Sequence, residues 1–134
     1  MMTLKELSQL YYLNREIEMD QRRLEELRTK AESTAAPFSD MPRSPNTENK
    51  LERYVADMVD LSMIIATKQQ RCIHERNRLE RYIQDIDDSL TRQIFTLRFI
   101  NGLSWEQVAA HIGGGNTDKR VSKICYRHLE KPSK

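Results

Sequence analysis

The sequence predicts an all-α protein, a long antiparallel two-helix coiled coil followed by a small three-helix domain. Only 4 glycines and 4 prolines occur among 134 residues, and they cluster, so long stretches contain no helix breaker. Apolar residues recur every seven positions through much of residues 1–87, which is typical of a coiled-coil seam. Residues 88–134 instead hold three short segments with their own helix start and stop signals. The sequence therefore predicts two domains, 1–87 and 88–134.

The first helix is expected to begin at a capping box and to run to about Ser33. Thr3 is followed three residues later by Glu6, so its hydroxyl can accept a hydrogen bond from an amide of the first turn. The residues in seam positions are Leu10, Ile17, Leu24 and Ala31, with Leu13 and Leu27 in a companion row. Asp20 interrupts that companion row. This spacing places the apolar residues in one narrow stripe on one side of the helix.

A loop is predicted over about residues 34–46, because three prolines prevent a continuous helix there. Phe38, Met41 and Arg43 give this loop two interpretations. We favour a hairpin connector whose apolar residues cover the end of the coil over a loop that contacts a partner.

The second helix is expected to start near Asn46 or Thr47 and to run to about Ile86. Its seam residues at intervals of seven are Leu51, Met58, Ile65, Cys72, Leu79 and Ile86. A companion row of Tyr54, Leu61 and Tyr82 is broken by Lys68 and Glu75, and Val55 and Ile83 are expected to widen the seam at its two ends. Since so narrow a seam buries little area in one pair of helices, we expect a homo-oligomer that forms through the same surface.

Capping signals divide the C-terminal region into three short helices. Asp88 or Ser89 can cap the first helix, and Gly102 ends it. Ser104 and Gln107 form a second capping box, Gly113–Gly115 end that helix, and Asn116 or Thr117 caps the last one. The residues expected to face inward are Val108, Ala109, Ile112, Val121, Ile124, Cys125, His128 and Leu129, and Trp105 is expected to anchor the core.

The face of the last helix that remains outside is basic. Residues 89–134 carry 8 Lys/Arg against 3 Asp/Glu, whereas residues 1–88 carry 14 against 17. Lysine and arginine can bind phosphates or guanine edges, and hydroxyl and phenol groups can add further contacts. The predicted partner is therefore duplex DNA, read in the major groove by this helix. The candidate contact residues are Thr117, Asp118, Lys119, Arg120, Ser122, Lys123, Tyr126 and Arg127.

Residues 97–109, LRFINGLSWEQVA, resemble the fourth region of sigma-70-type transcription factors. In that region a Leu-Arg-aromatic, Gly-x-Ser, aromatic-Glu-x-Ile/Val-Ala pattern opens the helix-turn-helix that reads promoter DNA. The whole chain more loosely resembles small phage transcriptional regulators of the RinA and ArpU type. The resemblance implies a DNA-binding transcriptional regulator, phage- or prophage-encoded and acting in the cytoplasm of a bacterial host.

The turn departs from the standard helix-turn-helix pattern. Twelve positions separate the small residue Ala109 from Val121, the first core residue of the last helix, where the standard motif has ten. Two extra residues therefore lie in the turn, and we expect a displaced recognition helix.

Two alternatives use the same residues: a DNA-packaging recognition subunit of the small-terminase kind, and a module that binds RNA polymerase. An enzyme is not expected, since no catalytic set of side chains stands out, and no cofactor is implied. Cys125 with His128 fits a helix core better than a zinc site, whose ligands are usually more closely paired. No segment approaches the ~20 apolar residues of a membrane span.

Overall fold

The computed structural model describes residues 2–35 and 45–131, with the backbone alone for residues 45–48. The elements are α1 (Leu4–Ala35), α2 (Pro45–Gln84), α3 (Ser89–Phe95), a π-helical turn (Thr96–Ile100) that continues α3, α4 (Trp105–Ile112) and α5 (Asp118–Glu130). Within the described residues there is no β-strand. The predicted all-α fold is confirmed.

The long helices extend slightly further into the predicted loop than the sequence indicated. Thr34 and Ala35 still belong to α1, and Pro45 already belongs to α2. The predicted contact or connector residues Phe38, Met41 and Arg43 lie outside the described residues.

α1 and α2 pack against each other in antiparallel directions. Near the start of α1, Glu6 pairs with Arg78, whose Nη2 lies 3.3 Å from the carboxylate. Further along α1, Asp20 pairs with Lys68, at 2.6 Å. Because the partner position in α2 decreases as the position in α1 increases, the two helices run in opposite directions, as the predicted hairpin requires.

The chain divides into two compact units: residues 15–71, here the coil unit, and residues 2–14 with 72–131, here the head unit. The prediction placed a boundary between residues 87 and 88, whereas the head unit also includes the ends of both long helices. Short helices such as α3 to α5 expose more apolar surface than they can cover for one another, and these helix ends complete their core. The buried core residues of the head unit are Met2, Leu7, Leu10, Leu79, Ile83, Ile86, Ile94, Phe95, Phe99, Val108, Ala109, Val121 and Cys125.

The coil unit has a thinner core. Its buried hydrophobic residues, Ile17, Ala31, Leu61 and Ile65, remain 7–9% exposed, whereas several core residues of the head unit are completely buried. Two of the three residues that interrupt the companion rows pair with each other, since Lys68 Nζ lies 2.6 Å from Asp20 Oδ2. This hydrogen bond is the main cause of a raised pKa at Lys68.

One seam prediction is wrong. Ile83 is buried in the head-unit core, as expected, but Val55 is 48% exposed. Val55 follows the companion-row residue Tyr54, and one step along a helix rotates the side chain by about 100°. That rotation moves Val55 away from α1, which covers only a narrow face of α2.

Candidate nucleic-acid interface

α3 is capped by Asp88, one of the two caps that the sequence allowed. The Asp88 carboxylate accepts hydrogen bonds from the Thr91 amide at 3.0 Å and the Thr91 hydroxyl at 2.7 Å. These bonds favour the charged carboxylate, so the pKa of Asp88 is lowered. The Arg92 guanidinium donates to the carbonyl of Ile86 at 2.7 Å, which fastens the link between α2 and α3.

The π-helical turn places Arg98 against the turn that leads to α4. Its Nη1 donates to the carbonyl of Leu103 at 2.9 Å, and its guanidinium lies 4.6 Å from the centroid of the Trp105 ring. Gly102, between these groups, has φ +71°, a conformation that residues with a Cβ rarely adopt. Arg98 therefore holds the connection between the first and second helices of the three-helix domain.

α4 starts with the predicted capping box. The Gln107 amide donates to Ser104 Oγ at 3.2 Å, and Gln107 Oε1 accepts from the Ser104 amide at 2.9 Å. Val108 is completely buried and Ala109 is 6% exposed, as predicted for the face toward the other helices. The structure thus confirms where this helix begins and which face it buries.

Trp105 lies at the margin of the core and is half-buried, although the sequence suggested a core anchor. Trp105 is the first residue of α4 and so lies at the end of that helix. The Arg98 guanidinium lies over its ring, and the ring also makes a T-shaped contact with Tyr126, at 6.0 Å between centroids. Trp105 therefore links the α4 turn to α5.

Three consecutive glycines connect α4 to α5. Gly113, Gly114 and Gly115 have φ values of +70°, +63° and +77°, so each uses a conformation that L side chains rarely adopt. The Gly113 amide donates a hydrogen bond to the Ala109 carbonyl at 3.0 Å, and this bond ends α4. The side-chain amide of Asn116 donates to the Gly113 carbonyl at 2.7 Å. These contacts shape the turn that the sequence marked as two residues longer than standard.

α5 is capped by Thr117, whose hydroxyl accepts a hydrogen bond from the Arg120 amide at 3.2 Å. Val121 and Cys125 are completely buried, as predicted, and burial raises the pKa of the Cys125 thiol to about 12. His128 is half-buried with its ring edge-on to Phe95, at 5.3 Å between centroids. Desolvation is the main cause of a lowered pKa at His128, with the positive charge of Lys131 adding to it. Val121, Cys125 and His128 therefore belong to the core side of α5.

The opposite side of α5 carries the predicted cationic face. Lys119, Arg120, Lys123 and Arg127 are all exposed, and none of them pairs with a carboxylate among the described residues. Basic residues of the long helices that do pair with carboxylates are Arg15, Arg28, Lys68, Arg76 and Arg78. The charges of α5 are therefore not neutralised within the described structure.

The other four predicted contact residues differ in their exposure and in the hydrogen bonds that they already make. The hydroxyl of Thr117 caps α5, and the half-buried Ser122 donates to the carbonyl of Lys119 at 3.0 Å, so both already bond the backbone of their own helix. Asp118 is exposed in the first turn, where its negative charge interacts favourably with the helix dipole. Tyr126 is 42% exposed and is held by Trp105. The cationic face therefore consists of the four basic residues, with Tyr126 at its edge.

Arg98 and Asn116 are positioning residues that the sequence did not assign. The Leu-Arg-aromatic pattern at 97–99 offered a signal for Arg98, but its target depends on the π-helical turn. Asn116 was considered only as a cap of α5, whereas its side chain bonds the glycine turn.

Comparison with family models, with curated proteins and with solved structures found no match. No helix in the described parts of the chain is long and apolar enough to cross a membrane. The side chains described for this chain also contain no group of three or more metal-binding residues placed to hold an ion.

Proposed function

We propose that the chain is a non-enzymatic DNA-binding protein that reads duplex DNA with α5 and regulates transcription. The observation that carries the proposal is the cationic face of α5, whose four exposed basic residues lack carboxylate partners among the described residues. This helix follows a capped helix and a glycine turn, the order of elements found in helix-turn-helix proteins, whose second helix enters the major groove.

The dimensions of α5 are compatible with the major groove. Its 13 residues extend over about 20 Å, and a helix with side chains is ~10–12 Å across, close to the ~12 Å width of the groove. Lys119, Lys123 and Arg127 recur every four residues and so form a row about 12 Å long. A row of this kind can follow the groove while the buried residues of α5 keep the helix on the head unit.

Different residues of the cationic face would supply affinity and specificity. Contacts of lysine and arginine with phosphates give affinity that is independent of sequence and sensitive to salt. A bidentate arginine contact to guanine discriminates between bases, at ~1–3 kcal/mol per contact. Arg120 and Arg127 are the residues with this capacity, and Asp118 could accept a hydrogen bond only from a donor such as the cytosine amino group.

The resemblance of residues 97–109 to the fourth region of sigma factors supports a role in transcription. The looser resemblance of the whole chain to small phage transcriptional regulators supports the proposal that the protein acts in a bacterial cytoplasm and is encoded by a phage or prophage. In that setting α4 would orient α5, and Arg98 and Trp105 would fix the orientation of α4.

The test is a pair of double variants with equal loss of charge. Lys123→Ala with Arg127→Ala removes two positive charges from α5, whereas Arg22→Ala with Arg23→Ala removes two from exposed positions of α1. With duplexes selected from a random pool, we expect the α5 variant to bind ~10- to 100-fold more weakly. The slope of log affinity against log salt should fall by about 1.8 if both residues contact phosphates.

The α1 variant is expected to bind within about twofold of the unchanged protein, because its charges lie outside the interface. Equal losses in the two variants would indicate attraction by net charge alone and would contradict the proposal. Capture of RNA polymerase by a chain with no duplex affinity would also contradict it, and would favour the polymerase-binding alternative.

A further inference from the structure

The coil unit exposes a second apolar face on α2, separate from the seam that contacts α1. We call this face the outer stripe, and it consists of Val55, Val59, Ser62, Met63 and Ala66. The exposed fractions are 48% for Val55, 55% for Val59 and 66% for Met63. A shallow groove runs along these residues, with Met58 at its inner edge. The apolar surface is therefore continuous along the helix.

The spacing shows that the stripe is one face of the helix. Val55, Val59, Ser62 and Ala66 follow one another at intervals of four, three and four residues, which keeps them on one side. Gln69 and Gln70 continue the same side without a charge. In a chain with 31% charged residues, about four helical turns free of charge on one exposed face are unusual. Such a surface is typical of a site that another apolar surface covers.

The structure also shows that the predicted seam is already used. α1 covers the side of α2 that carries Leu61 and Ile65, so the seam is occupied within a single chain. The core of the coil unit nevertheless remains thin, since its buried hydrophobic residues are all at least 7% exposed. A second layer of helices on the outer stripe would give this unit the two-layer packing that helical bundles use.

We propose that the occupant of the outer stripe is a second copy of this chain, with the two α2 helices antiparallel about a twofold axis. The absence of charge favours this occupant, because a twofold interface places each surface against itself and a charged stripe would meet its own charge. With the axis near Ser62, Val59 of one copy would lie against Ala66 of the other. This inference goes beyond DNA binding and does not depend on it.

The size of the contact determines the expected strength. A stripe of 16 residues, from 55 to 70, is about 24 Å long and buries on the order of 500 Å² per copy. That area is smaller than the about 800 Å² per partner that stable dimers typically bury, and it falls in the range of weak, transient interfaces. We therefore expect a reversible dimer with a Kd on the order of micromolar and a mass that depends on concentration.

The experiment is sedimentation of the full-length chain over a concentration series, with Val59→Lys and Ile64→Lys as matched variants. Both residues are exposed on α2, at 55% and 47%, but Ile64 lies about 140° around the helix from Val59. Val59→Lys places two charges in the twofold contact, and we expect it to raise the Kd by at least ~100-fold. Ile64→Lys should leave the Kd within about threefold, and circular dichroism should show equal helicity in both.

Three results would overturn the dimer. These are a monomeric mass for the unchanged chain at every concentration, equal weakening by the two variants, or no weakening by Val59→Lys. Crosslinking supplies a second measurement: Ser62→Cys should form a disulfide between copies, and Thr67→Cys, on another side of α2, should not. Lys123→Ala with Arg127→Ala is expected to leave the mass unchanged, so failure of DNA binding and failure of the dimer can be distinguished.

Discussion

Replacing Arg98 with alanine removes two contacts that hold the turn before α4. One is the 2.9 Å hydrogen bond from Nη1 to the Leu103 carbonyl, and the other is the guanidinium placed 4.6 Å from the Trp105 ring centroid. Both act on residues next to the Ser104 cap, so their loss is expected to loosen the start of α4 and to destabilise the head unit.

The expected loss of stability follows from these two contacts. A hydrogen bond from a charged donor contributes about 1.5–3 kcal/mol, and a cation–π contact contributes ~0.5–2 kcal/mol depending on exposure. Arg98 and Trp105 are half-buried, which favours the middle of each range. The free energy of unfolding should therefore fall by about 3 kcal/mol, which lowers the Tm by ~10 °C for a chain of this size.

Urea unfolding followed by tryptophan fluorescence measures this effect directly, because Trp105 is the only tryptophan and lies beside Arg98. Arg98→Lys keeps the charge but loses the planar fork, so an intermediate loss is expected. Arg81→Ala is the control, since Arg81 is exposed and, among the described residues, its side chain bonds only the Asn77 carbonyl of its own helix. That change should cost less than ~0.5 kcal/mol.

A loss of less than ~0.5 kcal/mol in Arg98→Ala, equal to that of the Arg81 control, would refute the role assigned to Arg98. Full stability in Arg98→Lys would contradict the requirement for the planar guanidinium.

Three further predictions concern titration, reactivity and packing. A thiol reagent should label Cys72 in the folded protein but Cys125 only after unfolding, because Cys125 is completely buried and its pKa is raised to about 12. The lowered pKa of His128 means that the unfolded chain binds the proton more readily, so this contribution to stability is complete above the unfolded value of about 6.5 and is lost as the pH falls below it. His128→Gln should therefore reduce the fall in Tm between pH 7 and pH 5. Lys68→Leu alone should destabilise the coil unit by leaving Asp20 half-buried without its partner, whereas adding Asp20→Leu should restore or increase stability in urea unfolding.

Each of these predictions has an outcome that contradicts it. Equal labelling rates for the two thiols would show that the head-unit core opens readily. An unchanged pH dependence in the His128 variant would assign the titration to another group. A double leucine variant less stable than Lys68→Leu alone would show that the ion pair contributes more than apolar packing at the same two positions.

The helix boundaries were largely predictable because caps depend on local contacts. Thr3, Ser104 and Thr117 each accept a hydrogen bond from an amide three residues later, and this geometry is encoded within one helical turn. The buried face of α5 was predictable for a similar reason, since the spacing of Val121 and Cys125 defines one side of the helix. The exposed basic face follows from the same periodicity.

The partner of each apolar face was not predictable. Leu79 belongs to the same seven-residue row as Ile65, yet Leu79 enters the head-unit core and Ile65 enters the coil unit. Periodicity defines which side of a helix is apolar, but not what covers it. The contact of Arg98 with Trp105 depends in addition on the π-helical turn, which no spacing in the sequence indicated.

The division of the long helices between two cores gives the molecule a part of adjustable length. Between Arg15 and Arg71 the apolar pattern repeats every seven residues, and α1 meets α2 in antiparallel register. Removing one repeat from each helix within this interval would shorten the coil by about 10 Å. Because the head-unit core contains no residue from this interval, the coil unit could change in length during evolution or design without altering the core of the part that we propose to bind DNA.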